Sequence, residues 1–142
     1  MSNSVRTDTA PAPVGAYPHA RRVGNLLFLS GVGPRTPGSN EIPGNVLDAT
    51  GTVLAYDIEA QCRQVFANVR AVLEASGARW QDLVDVTVFL TDMQRDFAAY
   101  NRLYAEHFAG VDACRTTVGI HALPTPIAIE LKCVAELAPD AR

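Results

Sequence analysis

The stretch RTTVGIHALPTPIAIELKCV, residues 115–134, decides the fold. Each half alternates side chains with a period of two, which is typical of β-strands, and the Pro-rich segment 123–126 predicts a turn between them. In the first half, Arg115 and Thr117 point the same way. In the second, Glu130 lies opposite a face made only of apolar residues, which are Ile127, Ile129, Leu131 and Cys133.

Upstream of these strands, the hydrophobic pattern predicts helices and further strands in alternation. Residues 58–73 have the one-face spacing of an amphipathic helix, which Gly77 is expected to end. Val84, Val86 and Val88 alternate as in a half-buried strand. A second helix follows Asp92, a good N-cap. The apolar face of this helix would consist of Phe97, Tyr100, Leu103, Tyr104 and Phe108.

Near the start of the chain, Gly24-Asn25 predicts a tight turn that leads into a buried strand ending at Ser30. The predicted order is ββ–α–β–α–ββ, an α+β fold with both helices on one face of the sheet. We expect residues 1–15 to form a flexible arm, residues 16–142 a single domain, and residues 35–52 a long loop. Loops of that length in compact domains are often functional.

Composition narrows the classes of function. The formal net charge of −3 argues against a nucleic-acid partner. Three widely spaced cysteines, no signal-peptide pattern and no stretch long enough to span a membrane predict a cytoplasmic protein without a membrane partner. The helices cover one sheet face while the last strands carry apolar residues on both, so another subunit is expected to cover the second face.

Few chemical motifs are present. His19, His107 and His121 show no metal-ligand spacing, and no Gly-x-Ser-x-Gly elbow occurs. The candidates that remain are Arg115, which begins one of the last strands, and Glu130, which interrupts the other. They form either a structural ion pair between neighbouring strands or a pocket in which the arginine grips a carboxylate and the glutamate handles a proton or water.

Five motifs in register resemble the signature positions of the Rid (RidA/YjgF) family of enamine/imine deaminases. The resemblance extends over nearly the whole chain. The motifs are Ala16-Tyr17, Leu29-Ser30-Gly31, the segment 96–101 (DFAAYN), the strand that opens at Arg115, and Ile129-Glu130-Leu131. The resemblance implies a chorismate-mutase-like α+β fold, a mixed sheet, and a homotrimer with sites between subunits.

The resemblance also implies roles for individual residues. Arg115 is the expected carboxylate clamp, and Glu130 positions the water that hydrolyses an imine. Substrate-binding roles fall to Tyr17, Ser30, Gly31, Asn101 and Thr117, the last standing where many members carry cysteine. Neither a metal nor an organic cofactor is implied, because an imine is already an electrophile.

With its long loop, the chain is similar to bacterial 2-aminomuconate deaminases, which release ammonia and 4-oxalocrotonate (2-oxohex-3-enedioate). A second substrate carboxylate would need another cation, for which Arg35, Arg102 and Lys132 are candidates, and His121 would reach the pocket rim. The alternatives are a general deaminase of 2-aminoacrylate-type enamines and a non-catalytic trimeric protein that binds small carboxylates.

Overall fold

The computed structural model describes residues 3–139 and contains a six-stranded mixed sheet with two helices on one face. The strands are β1 Ser4–Val5, β2 Ala20–Val23, β3 Leu26–Leu29, β4 Val46–Leu47, β5 Val53–Ala55, β6 Leu83–Leu90, β7 Cys114–Gly119 and β8 Ile129–Glu136. The helices are α1 Ile58–Ala75 and α2 Met93–Phe108, and one 3₁₀ turn spans Trp80–Asp82. The predicted α+β class is confirmed.

Strand order in the sheet is β1-β2-β3-β8-β6-β7, and β4 and β5 form a separate hairpin. Strands β6 and β7 are parallel because α2 connects them as a crossover, whereas every other adjacent pair in the large sheet is antiparallel. The last two strands, predicted to be neighbours across a turn, are therefore not adjacent. Strand β6 lies between β7 and β8.

Both helices begin where the sequence predicts. Asp57 caps α1 by accepting from the Glu59 and Ala60 N–H groups, and Asp92 caps α2 by accepting from the Arg95 N–H. Gly77, predicted to end the first helix, follows it with a φ of 78° that side-chain-bearing residues rarely adopt. The apolar stripe of α1 is buried against the sheet.

Two predicted apolar faces need correction. Phe97 is 37% exposed, and the neighbouring Asp96 is fully buried, with its carboxylate accepting a 2.6 Å hydrogen bond from the Tyr56 hydroxyl. Val84 is also exposed, because a register shift in the β6–β8 pairing at Leu83/Asp85 turns it away from the core.

The strand predicted to be buried after Gly24 is buried on one face only. Leu27 and Leu29 contact the core, while Leu26 and Phe28 are 36% and 39% exposed. Their side of the sheet, here called the open face, carries no helix. The pairing of β8 with β3 and β6 places the side chains of Glu130, Lys132 and Val134 on the same open face.

Segments predicted to be irregular contain strands. Within residues 1–15, β1 pairs with β2 and Ala10 is buried, so the sheet begins before the predicted domain boundary at residue 16. Within residues 35–52, β4 pairs with β5. Positions 1–2 of the predicted arm and 140–142 of the predicted domain lie outside the described residues.

Candidate active site

Arg115 and Glu130 lie on opposite faces of the sheet. Arg115 pairs with Val86, whose side chain is buried against the helices, while Glu130 pairs with Phe89 on the open face. No ion pair joins them among the described residues. The structural ion pair considered from the sequence is therefore wrong, and the two residues of one chain do not share a pocket.

The arginine lies in a cluster with residues of α2. Its Nη1 donates a 2.8 Å hydrogen bond to the Asn101 Oδ1, and its guanidinium carbon lies 4.7 Å from the Tyr104 ring centroid and 5.4 Å from that of Tyr100. Cation–π contact orients the guanidinium without neutralising it. Arg115 is exposed and contacts no carboxylate within residues 3–139, so its charge is available to an anion.

Thr117 belongs to the same cluster. Its Oγ1 lies 2.8 Å from the Tyr100 hydroxyl, and burial raises the pKa of Tyr100. Burial also raises the pKa of Tyr104, whose hydroxyl has no hydrogen-bond partner among the described residues. Both phenols therefore stay protonated at neutral pH. Predicted residues Arg115, Asn101 and Thr117 thus come together on the helix side of β7, an edge strand of the sheet.

The glutamate lies in a second cluster, next to Gly31. A Cβ placed on Gly31 would lie 2.9 Å from the Glu130 Oε2, so only glycine allows the backbone to approach this closely. Burial raises the pKa of Glu130. Within the described part of the chain, its carboxylate has neither a hydrogen bond nor an ion pair, so it is free to bind water or accept a proton.

Ser30 and Tyr17 connect this second cluster to the segment before β2. The Ser30 hydroxyl donates a 2.7 Å hydrogen bond to the Pro18 carbonyl, and the Tyr17 hydroxyl accepts one of 3.2 Å from the Val14 N–H. Since its only hydrogen is in use, the Ser30 hydroxyl offers lone pairs to a ligand. Tyr17, Ser30 and Gly31 line one cavity, which Arg35 also lines.

The three candidate cations for a second carboxylate lie in different surroundings. Arg102 contacts Glu59 at 3.0 Å and Glu106 at 3.7 Å on the outer helix surface, away from both clusters. Arg35 donates to the Ala12 carbonyl and to Asn40. The third candidate, Lys132, donates to the Leu29 carbonyl on the open face.

His121 was expected to follow the alternation of the strand that begins at Arg115. Strand β7 ends at Gly119, so the predicted side-chain parity does not extend to His121, which is exposed. Among residues 3–139, no group of three or more His, Cys, Asp or Glu side chains is arranged to hold a metal ion. Neither helix in that range is long and apolar enough to cross a membrane.

The two tyrosines beside Arg115 were missed as site residues. Tyr100 and Tyr104 were assigned to the core because their spacing of four matches a helix's buried stripe. The same spacing also stacks two rings under one strand residue, and Asn101 beside them was already a site candidate. The contact of the two rings with Arg115 depends on how α2 packs against β7, and the sequence does not show this packing.

A family model described as Endoribonuclease L-PSP matches residues 7–137 of the chain. A RutC family protein from Pyrococcus horikoshii is 38% identical over 135 residues, covering 95% of this chain and 98% of that protein. The 2-iminobutanoate/2-iminopropanoate deaminase of Escherichia coli is 34% identical over 138 residues, covering 95% of this chain and 98% of that protein.

Solved structures give the same result at the level of the fold. The RidA protein of an Antarctic Psychrobacter superposes with a TM-score of 0.81 at 31% identity, covering 94% of this chain and 98% of that one. Escherichia coli TdcF with bound serine superposes with a TM-score of 0.80 at 30% identity, covering 95% and 98%. The two-helix, mixed-sheet architecture is common to all of them.

Proposed function

This chain belongs to the endoribonuclease L-PSP (RidA/YjgF) family, and from that premise we propose that it hydrolyses small 2-imino acids, and the enamines that tautomerise to them, to 2-oxo acids and ammonia. One observation carries the proposal. Within residues 3–139, Arg115 has no carboxylate partner, and the desolvated carboxylate of Glu130 has neither a hydrogen bond nor an ion pair. Both residues lie where the family resemblance expects a site residue.

The proposed chemistry assigns one step to each cluster. The Arg115 guanidinium grips the substrate carboxylate and so fixes the adjacent imine carbon. Glu130 removes a proton from a water molecule as the water oxygen bonds to that carbon. The proton then passes to the nitrogen as the C=N double bond opens, which gives a carbinolamine. The hydroxyl of this intermediate passes its proton to the nitrogen as the carbonyl forms, so the C–N bond breaks and ammonia leaves. One water is consumed for each ammonia released.

The division of the residues between two faces supports a site formed by two copies of the chain. One copy would supply Arg115, Asn101 and Thr117, and the next would supply Glu130, Gly31 and Tyr17. The open face, with Phe28 and Leu26 exposed, offers the apolar surface for such an assembly. We therefore propose the homotrimer that the family resemblance implies, in which three such boundaries close a ring.

We take the proposed substrate class from the names of the relatives. The Escherichia coli relative is named for 2-iminobutanoate and 2-iminopropanoate, and an Arabidopsis thaliana relative, 36% identical over 133 residues, is named Reactive Intermediate Deaminase A. These names favour the general enamine/imine deaminase over the 2-aminomuconate enzyme expected from the long loop. The 2-aminomuconate activity therefore becomes the second substrate to test.

The family description also names an endoribonuclease. An RNA substrate is disfavoured because the chain's net charge is −3 and the arginine cluster offers one cation with no carboxylate partner, whereas RNA-binding surfaces usually carry several. A deaminase needs only one cation for each substrate carboxylate.

The test is 2-oxo acid and ammonia formation from 2-iminobutanoate generated in the assay by an amino-acid oxidase. Wild-type protein should accelerate hydrolysis well above the spontaneous rate. Glu130→Gln should lose most of that acceleration, keep a residual rate above the spontaneous one, and still bind the 2-oxo acid product. Product binding by wild type without any acceleration would instead identify a non-catalytic carboxylate-binding protein.

A further inference from the structure

The pairing between β3 and β8 is interrupted beside Glu130. The regular ladder ends at Phe28↔Val134, and pairing resumes at the isolated bridge Val32↔Leu131. Between these pairs, three residues on one side (29–31) face two on the other (132–133), so the β3 side carries one extra residue. Such a bulge bends a strand and changes the direction of its side chains and backbone, and bulges are frequent next to active sites.

The extra residue leaves the Leu29 carbonyl beyond the last regular pair of the ladder. The Lys132 ammonium donates a hydrogen bond to this carbonyl. A hydrogen bond from a charged donor is stronger than one between neutral groups, so this bond stabilises the backbone of the bulge. Lys132 is the only lysine in the chain and lies directly across the ladder from residues 29–31.

The bulge brings Gly31 against the catalytic candidate. Gly31 follows Leu29 by two residues, and its backbone is so close to Glu130 that a methyl group there would lie 2.9 Å from Oε2 and 3.0 Å from the carboxyl carbon. The Gly31 backbone therefore forms one wall of the space that holds the carboxylate. Whatever fixes residues 29–31 also fixes the direction of the Glu130 carboxylate.

A lysine on a strand face that carries no helix would be expected to extend away from the sheet. Lys132 is instead half-buried, and burial lowers its pKa. Its head group bonds to the backbone, and no carboxylate pairs with it among the described residues. Desolvating an ammonium for a carbonyl partner is costly, which is difficult to explain for a residue that contributes only solubility.

We propose that Lys132 is a positioning residue, which acts through the Leu29 carbonyl to hold the bulge at residues 29–31 and thereby sets the Gly31 backbone against the Glu130 carboxylate. The inference rests on the proposed function of Glu130 as the group that positions water. Lys132 itself contacts no reacting atom in this scheme.

The first experiment compares Lys132→Met, which keeps the length of the side chain and removes the ammonium, with Lys132→Arg, which keeps a cationic donor. We expect kcat of Lys132→Met to fall about 10- to 100-fold with KM within about threefold, because a small displacement of a catalytic group costs that much in rate. Lys132→Arg should recover a large part of the loss. Thr87 lies on β6 and pairs directly with Lys132. Thr87→Val is therefore the matched control and should keep wild-type kinetics.

A double-mutant cycle separates positioning from general stability. In a Glu130→Gln background, Lys132→Met should lower the residual rate less than twofold, since its effect passes through the glutamate. An equal loss in both backgrounds would overturn the proposal, as would wild-type kcat for Lys132→Met. Thermal unfolding and sedimentation of every variant identify a loss that comes from unfolding or from dissociation at the open face.

A second measurement does not depend on activity. Because the chain has a single lysine, selective ¹⁵N-lysine labelling gives one side-chain ammonium signal in the NMR spectrum. A bonded, half-buried ammonium should exchange its protons slowly enough to be observed at neutral pH, whereas an exposed one should not. Rapid exchange would refute the Lys132–Leu29 bond, while slow exchange together with no imine hydrolysis would refute only the proposed function.

Discussion

At the scale of single residues, the proposed carboxylate clamp depends on one guanidinium. Arg115 is held by the Asn101 amide and the Tyr104 ring, and its charge faces no protein anion within residues 3–139. Replacing it with alanine should lower kcat/KM for 2-iminobutanoate about 10²- to 10³-fold, the effect expected when a charge-assisted pair is lost. Arg115→Lys should recover only part, because an ammonium does not form the bidentate contact.

Arg102→Ala provides the control for that measurement, since Arg102 pairs with Glu59 and Glu106 on the helix surface. It should keep wild-type kcat/KM, because solvent-exposed ion pairs contribute little and none of its partners is a site residue. Equal loss of activity in both variants would show that the chain responds to a general loss of positive charge.

The glutamate predicts a pH dependence. Only the ionised carboxylate can accept a proton from water, so activity should rise with pH through the pKa of Glu130. Burial raises that pKa, so the acid limb of kcat/KM should lie above the ordinary glutamate value of about 4.3. Glu130→Gln should lack this limb, and a limb retained in that variant would assign it to another group.

At the scale of elements, α1 fixes the segment that follows the glutamate cluster. The Asn68 amide is buried and donates 2.8 Å hydrogen bonds to the carbonyls of Gly33 and Arg35. These two residues follow Gly31 by two and four positions in the chain. Asn68→Ala leaves both carbonyls without these bonds and should lower the free energy of unfolding by about 2–4 kcal/mol. Urea unfolding measures the change.

Gln64→Ala is the matched control on the same helix. Gln64 is only half-buried, and its amide donates a single hydrogen bond, to Asn68 Oδ1. We expect its loss to cost at most about 1 kcal/mol. If both variants unfold at the same urea concentration, the bonds from Asn68 to the backbone contribute nothing specific.

At the scale of the whole molecule, the two faces predict that activity can be shared between copies. Arg115→Ala and Glu130→Gln proteins should each have only a small residual activity alone. The two variants are then unfolded together in equal amounts and refolded. A complete site forms wherever the intact arginine of a Glu130→Gln copy meets the intact glutamate of an Arg115→Ala copy. Random mixing in a closed ring gives such boundaries at about a quarter of positions, so about a quarter of wild-type activity should return.

Failure to regain any activity, in mixtures shown by mass spectrometry to contain both chains in one particle, would contradict a site formed between copies. The double variant, with both substitutions in one chain, supplies the background for the comparison. When mixed with Glu130→Gln, it leaves every boundary without an intact glutamate and should restore nothing.

Much of the fold follows from local pattern in the sequence. The apolar period of 3.6 residues identifies α1 and α2, the caps at Asp92 and Gly77 come where predicted, and alternation identifies β8. Short pieces with little pattern of their own, such as β1 and the β4–β5 hairpin, were not predicted. Strand β1 exists because it pairs with β2 on the far side of a long irregular segment. Strands β4 and β5 are 2 and 3 residues long, too short for an alternating pattern to be recognised.

The sequence by itself also determined which residue types are available for chemistry, since Arg115 and Glu130 stand out as charges in otherwise alternating strands. Tertiary structure alone decided their geometry. The pairing registers on β6 send the two side chains to opposite faces, since Arg115 pairs with Val86 and Glu130 with Phe89. One extra residue in the β3–β8 pairing places Gly31 against the carboxylate. Periodicity assigns a side chain to one face of its own strand, but strand order and register depend on packing between distant segments, and these determine which faces meet.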